Sequence, residues 1–405
     1  MVTIKPFAAL RPKPGFAARI CELPYDVLSS AEARKAAAGN PHSFFHVSKP
    51  EIDLPEDINP YDAKVYALGR DNFQRLIAQG VLVPDRQPCF YLYRQIMGHH
   101  SQTGLVAAAS CEDYLQNIVK KHELTRPDKE EDRVRHIDAL GAQTGPVFLT
   151  YPAQPEFSQW LAAQAAAAPA VDFTAQDGVR HTGWVIDDPN SGRAIEAFFR
   201  GIDSLYIADG HHRSAAAARV FQERRGRGHS GGFLSVIFPH DQLQILPYHR
   251  ILKDLNGLNQ ADLLQKLARV FVIETPGTAQ PKQPHELGFF LDNRWLTLAF
   301  QPAITASGSR LDNLDVGLLQ RHVLEPIFSI ENPRTSRRIQ FVGGIRGPAE
   351  LERLVQSGEY ACAFSMHPTG IDDLIAIADT GNIMPPKSTW FEPKLRDGMF
   401  SHLLD

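Results

Sequence analysis

The chain has 405 residues, 43% of them hydrophobic and 22% charged, with a formal net charge of -4 and a calculated pI of about 6.5. That balance describes an ordinary soluble globular protein without a basic excess for nucleic acid or anionic lipid; the length exceeds what one hydrophobic core serves, so two domains are expected, 1–254 and 255–405. No apolar run approaches the roughly 18–20 residues that span a bilayer, and Cys21, Cys89, Cys111 and Cys362, far apart and without a Cys-x-x-Cys pair, read as reduced, mostly buried thiols of a cytoplasmic protein.

In chain order, residues 1–28 carry Pro6, Pro12, Pro14 and Pro24, which forbid a long helix, and proline comes before any apolar core of a signal peptide can form. Pro24-Tyr-Asp-Val27 leads into a helix that Ser29 or Ser30 caps and Gly39 closes. Asp26 is either a turn acid or a second carboxylate for a metal or a substrate amine. Phe44 to Val47 favours a strand, Asn59-Pro60 starts an amphipathic helix through Ala78, and Cys89 to Tyr93 pairs with Gly104 to Ala109 as a hairpin with His99 and His100 in its solvated turn. The charged segment from Lys120 offers Lys121, Arg126 and Arg133 as phosphate partners, or forms a solvated helix face. A loop from Gly141 to Pro146 then enters the strand Val147 to Tyr151, and strands at 170–174 and 181–186 and a helix near 190–199 follow.

Chemistry concentrates at Ser204-Leu-Tyr-Ile-Ala-Asp-Gly-His-His-Arg213. Residues 204–208 read as a short buried strand, Gly210 permits a tight turn, and the Ala-rich run from Ser214 favours a helix. A strand-to-helix junction offers free N–H groups and a positive dipole end, to which Arg213 adds a cation. Asp209 can accept a proton or bind a metal, and His211 and His212 titrate near neutrality when unperturbed. A helix-capping role for the histidines, and a zinc site from Asp209, His211, His212 and His249, are the competing readings. No P-loop glycine signature is present.

Beyond the helix, Phe233 to Phe238 reads as a strand, and His249 and Arg250 end another, facing either the Arg213 pocket or solvent. From 255 onward helices at 260–269, 314–327, 348–357 and 370–378 alternate with strands near 270–274, 288–300, 339–342 and 360–364. Pro385 and Pro386 hold Lys387, Ser388 and Thr389 on a loop, where Lys387 is a phosphate or carboxylate ligand or a structural lysine.

Pro24-Tyr-Asp-Val27, Asn40-Pro41, His122-Glu123, Asp132-Arg133, Ala208-Asp-Gly-His-His-Arg213, Pro247, His249-Arg250, Asn332-Pro-Arg-Thr335 and Met384-Pro-Pro-Lys-Ser-Thr-Trp-Phe391 together resemble the bacterial and archaeal family catalogued as domain of unknown function 1015, nearly end to end. More distantly, the Asp209 to Arg213 element is similar to the phosphate-binding box of the ParB and sulfiredoxin-like superfamily, which includes free-serine kinases. That resemblance implies an α/β fold with a mixed sheet: a ParB/sulfiredoxin-like core with large insertions, plus a C-terminal α/β lobe. It implies ATP or ADP with Mg2+, Asp209 as the acid that polarises a substrate hydroxyl or helps bind the metal, and His211, His212 and Arg213 on phosphates. Arg250 and Lys387 are further candidate cofactor ligands, Asp26, His249 and Arg133 are substrate candidates, and Asp26 could join Asp209 on the metal. No cysteine lies between Cys111 and Cys362, against sulfiredoxin chemistry, and no basic helix-turn-helix is visible. The expected activity is a phosphotransferase with a serine-like acceptor; a non-catalytic nucleotide-binding regulator and a metal-dependent hydrolase are the alternatives. No nucleic acid or membrane partner is expected, and a homodimer is left open.

Overall fold

The computed structural model describes residues 1–306 and 308–405 and divides the chain into two compact units, 1–243 with 393–405, and 244–392. The boundary expected after 254 falls after 243, and the last thirteen residues, expected in the C-terminal lobe, return to the first unit.

The first unit is built on a mixed sheet, nine-stranded among the described residues. Its path runs Val119–Lys120, Leu205–Asp209, Val147–Tyr151, Gly232–Pro239, His100–Ser110, Phe90–Met97, Arg180–Ile186 and Val171–Thr174, with Ile4–Lys5 beside His100–Ser110. Leu205–Asp209 pairs parallel with Val119–Lys120 and antiparallel with Val147–Tyr151, while Val147–Tyr151 runs parallel to Gly232–Pro239. The central strands are buried and apolar along their length, as strands covered on both faces must be. Leu149, Leu205, Ile207, Ala217, Phe233 and Ile237 belong to one core under this sheet.

Helix His211–Arg224 starts at once after the strand Leu205–Asp209, three residues earlier than the Ala-rich run alone suggests. Gly210 occupies the N-cap with φ +100°, a left-handed conformation that glycine adopts without strain. The alanines let helix Pro127–Leu140 approach closely: Val134 and Ile137 pack on Ala216 and Val220. Arg219 pairs with Glu131 at 2.9 Å across the same seam. Phe44 to Val47, expected as a strand, forms a short helix at Phe45–Ser48, where Phe44 and Val47 join Phe73 and Leu76 in a core. Here tertiary packing overrides the β-preference of aromatic and β-branched residues. The chain's end forms strand Ser401–Leu403, held between Ala9–Pro12 and Ala142–Gln143.

The second unit is an antiparallel sheet in the order Phe271–Glu274, Arg294–Phe300, Glu286–Leu291, Cys362–Ser365, Tyr248–Leu252, Ile339–Gly343. The stretch read as one strand at 288–300 is a hairpin turning at Asp292 and Asn293, both at positive φ. Helix Gly347–Gln356 covers one face through Leu351, on Ile251, Phe290 and Ala363. The unit opens and closes on a two-stranded ribbon, Gln244–Leu246 paired with Trp390–Glu392. The four cysteines are free and buried. Among the described residues, no helix is long and apolar enough to cross a membrane.

Candidate functional site

The sheet topology explains why distant residues meet at the end of strand Leu205–Asp209. Its parallel neighbour Val119–Lys120 carries His122 and Glu123 to the same end. Its antiparallel neighbour begins there, so Gly145 and Pro146 lie alongside. The register slips between Ile207 and Asp209, and this bulge re-aims the last residue of the strand.

Asp209 therefore stands at the mouth of helix His211–Arg224, its side chain 31% exposed. Lys394 Nζ donates to its Oδ2 at 3.0 Å, and Arg213 Nη2 lies 3.8 Å from Oδ1. Burial favours the neutral acid, but the two cations outweigh it and hold the carboxyl well below the usual range. The first intrahelical bond runs from Ser214 N–H to Gly210 O, so the amides of the preceding turn have no partner within the helix. They and the helix dipole add positive potential beside the carboxylate.

Arg213 turns inward. Its side chain is 8% exposed and Nη1 donates to Pro146 O, so it clamps the 144–146 loop rather than facing an incoming phosphate. It lies against Gly210 and Gly145: a Cβ on Gly210 would come within 3.1 Å of the guanidinium, and one on Gly145 within 3.0 Å of Asp397 Oδ1. Arg213, Arg133, Tyr25, Thr144 and Asp397 surround a cavity of about 30 Å³, room for water but not for a metabolite. Arg133, a substrate candidate, is engaged there, 3.8 Å from the centre of the Tyr25 ring and 2.7 Å from Asp132. Asp26 is exposed next to buried Tyr25, and its charge acts on Arg213 and Asp397.

The histidines pin the neighbouring loop. His211 Nε2 accepts the His122 N–H at 3.4 Å, and His212 Nε2 accepts the Arg126 N–H at 3.0 Å. His211 is buried, and burial together with the nearby His122 pushes its pKa well down, so it is a neutral ring rather than a cation for phosphate. The His122 ring packs edge-on against it at 4.5 Å, with Nδ1 buried and unpartnered. His122, Glu123 and His211 offer ligand atoms within 4.8 Å of one another; among the described residues this is the group of three or more able to share a metal ion, and it includes neither Asp209 nor Asp26. The Asp209 charge is countered by Lys394 and Arg213, which weakens it as a ligand for the Mg2+ expected there with Asp26.

The remaining candidates lie in the second unit. His249 Nδ1 accepts the Met366 N–H at 3.1 Å, and burial lowers its pKa to about 4, which leaves it neutral and occupied. Arg250 donates to the carbonyls of Tyr248 and Lys387. Lys394 and Asp397 carried no signal near the motif, because Lys394 is 185 residues from the acid it contacts.

The chain belongs to the DUF1015 family, described as a protein family of unknown function, whose profile matches residues 4–317. Among solved structures, a free serine kinase in complex with AMP matches with 13% identity and a TM-score of 0.36, covering 68% of this chain and 84% of that one. SbnI with a C-terminal truncation, from Staphylococcus aureus, matches with 12% identity and a TM-score of 0.40, covering 72% and 85%. A conserved hypothetical protein from Pyrococcus furiosus matches with 14% identity and a TM-score of 0.33, covering 71% and 93%. No curated protein matches the chain.

Proposed function

We propose that the protein is a phosphotransferase that moves a phosphoryl group from ATP or ADP to the hydroxyl of a small, serine-like metabolite. One observation carries the reading: an ionised, partly exposed Asp209 ends a bulged strand beside Lys394, at the N-terminal end of helix His211–Arg224. Phosphoryl transfer needs alignment and charge neutralisation more than covalent chemistry, and this arrangement supplies both signs of charge at one spot. The serine-like acceptor rests on the motif resemblance of the Asp209 to Arg213 segment.

In this reading Asp209 accepts a hydrogen bond from the acceptor hydroxyl and orients it. Held well below the usual range, its carboxylate is too weak a base to remove that proton ahead of transfer. The first-turn amides and Lys394 receive phosphate oxygens. Arg213 acts from behind, keeping Asp209 ionised and the 144–146 loop in place. Asp209 and Asp26 are the carboxylates that would hold a magnesium ion arriving with the nucleotide, which would supply neutralisation of phosphate charge.

A metal-dependent hydrolase is the second reading, favoured by the His122, Glu123 and His211 group with its unpartnered Nδ1. Two imidazoles and a carboxylate suit zinc or a neighbouring transition metal rather than magnesium. Incubating the purified chain with ATP, magnesium salt and a pool of hydroxylated metabolites, and following products by mass spectrometry, separates these readings. A phosphorylated metabolite supports the transferase. Nucleotide binding without product points to a regulator, and stoichiometric zinc by elemental analysis with no phosphorylated product points to the hydrolase.

A further inference from the structure

The second unit contains a buried cation with no carboxylate ion pair among the described residues. Arg250 sits on strand Tyr248–Leu252 and is 3% exposed. The register places Phe341 on one side of it and Phe364 on the other, and its guanidinium lies 5.2 Å from the Phe341 ring centre. Two carbonyls receive its N–H groups, that of Tyr248 and, at 3.1 Å, that of Lys387. A guanidinium has five such donors, so two carbonyls leave it short of partners.

The contrast with Arg213 is informative. Both are buried, but the charges of Asp209, Asp26 and Asp397 more than offset the burial of Arg213 and raise its pKa. Burial instead drags Arg250 down to about 9, with only the Tyr248 phenol opposing the fall among the causes at work there. Desolvating a guanidinium among aromatic rings is costly unless an anion pairs with it. The fork geometry of the group suits a carboxylate or a phosphate.

A second cation lies close by. Lys387 is exposed on the loop after Pro385 and Pro386, and its ammonium lies 5.2 Å from the Tyr248 ring centre. Its backbone has φ +58°, left-handed for a residue with a side chain. The loop is fastened there: Ser388 Oγ donates to Pro385 O at 2.6 Å, and Thr369 Oγ1 donates to Ser388 O at 2.9 Å. The strained residue is thus the one that offers its carbonyl to Arg250.

We infer that Arg250, assisted by Lys387, receives the oxyanion of a small ligand, a phosphate or a carboxylate, in the second unit. The inference stands on residues 244–392 alone and does not depend on the chemistry proposed for Asp209.

Hydrogen exchange on the full chain tests it, with sodium pyrophosphate and sodium malonate as separate probes. Exchange in segments 248–252 and 384–389 should slow at least threefold with one of them. Slowing by pyrophosphate identifies the site as one for phosphate, and slowing by malonate alone as one for carboxylate. Arg250→Met should abolish the effect, and Lys387→Met, at an exposed loop position, should raise the half-saturating concentration at least threefold. No slowing in the wild type with either anion overturns the inference. So does slowing that survives Arg250→Met, or, where that variant does not fold, an unchanged half-saturating concentration in Lys387→Met.

Discussion

Burial pushes the Asp397 carboxyl up to about 7, with Arg213 and Arg133 opposing the rise and the charge of Asp26 adding to it. Its Oδ1 is buried and unpartnered, which fits an acid that keeps its proton. An unfolded Asp titrates near ~3.9. The folded chain therefore holds this proton more tightly, and the stability owed to it is complete below about pH 4 and lost as the pH rises to about 7. Asp397→Asn has no such proton to lose: urea midpoints should show a flatter decline between pH 4 and 7 and a gain on the order of 2 kcal/mol at pH 8. An unchanged slope would mean that Asp397 stays ionised throughout. Nothing in the sequence marks Asp397, because its environment is assembled from Tyr25, Arg133 and Arg213, each far away in the chain. Asp209 stands out in the sequence for the opposite reason, since it lies in a contiguous strand-turn-helix motif with Arg213, although its partner Lys394 does not.

At the scale of elements, the junction between strand Leu205–Asp209 and helix His211–Arg224 depends on Gly210. The turn was readable from the glycine and the helix from its alanines. The helix start was not, since His211 and His212 have no strong helix preference and occupy a first turn whose amides need no intrahelical partner. A side chain at Gly210 meets two penalties, the positive φ and the contact with Arg213 at 3.1 Å. Gly210→Ala should lose about 2 kcal/mol in urea unfolding and lower turnover by displacing the guanidinium that supports Asp209. Wild-type stability and turnover in that variant would show the junction to be permissive. The charged segment before Arg133 illustrates the limits of composition: Arg126 pairs with Asp128 at 2.7 Å and Lys121 rests 4.2 Å from the Tyr114 ring centre, so its cations are largely taken locally.

For the whole molecule, the second unit is inserted into the first. Alternating helix and strand patterns announced an α/β lobe after 255, but periodicity cannot show that the final residues rejoin an earlier sheet, because pairing such as Ala9 with His402 is a long-range choice. The insertion begins and ends on paired residues, Gln244 opposite Glu392, so its ends are adjacent. Replacing 244–392 by a short Gly-Ser linker should leave a folded first unit with a cooperative melt; a molten or aggregated product would show that the first unit cannot form alone. The central claim concerns the carboxylate at the mouth of helix His211–Arg224. Its most direct test is the rate of terminal-phosphoryl transfer from labelled ATP and from labelled ADP to serine and related hydroxy amino acids, in the wild type and in Asp209→Asn, with nucleotide affinity measured alongside. The wild type should form a phosphorylated product, and Asp209→Asn should lose roughly 10²–10³-fold or more in rate while binding nucleotide about as well. Full transfer by Asp209→Asn, or no transfer to any hydroxylated acceptor by the wild type, would contradict the assignment.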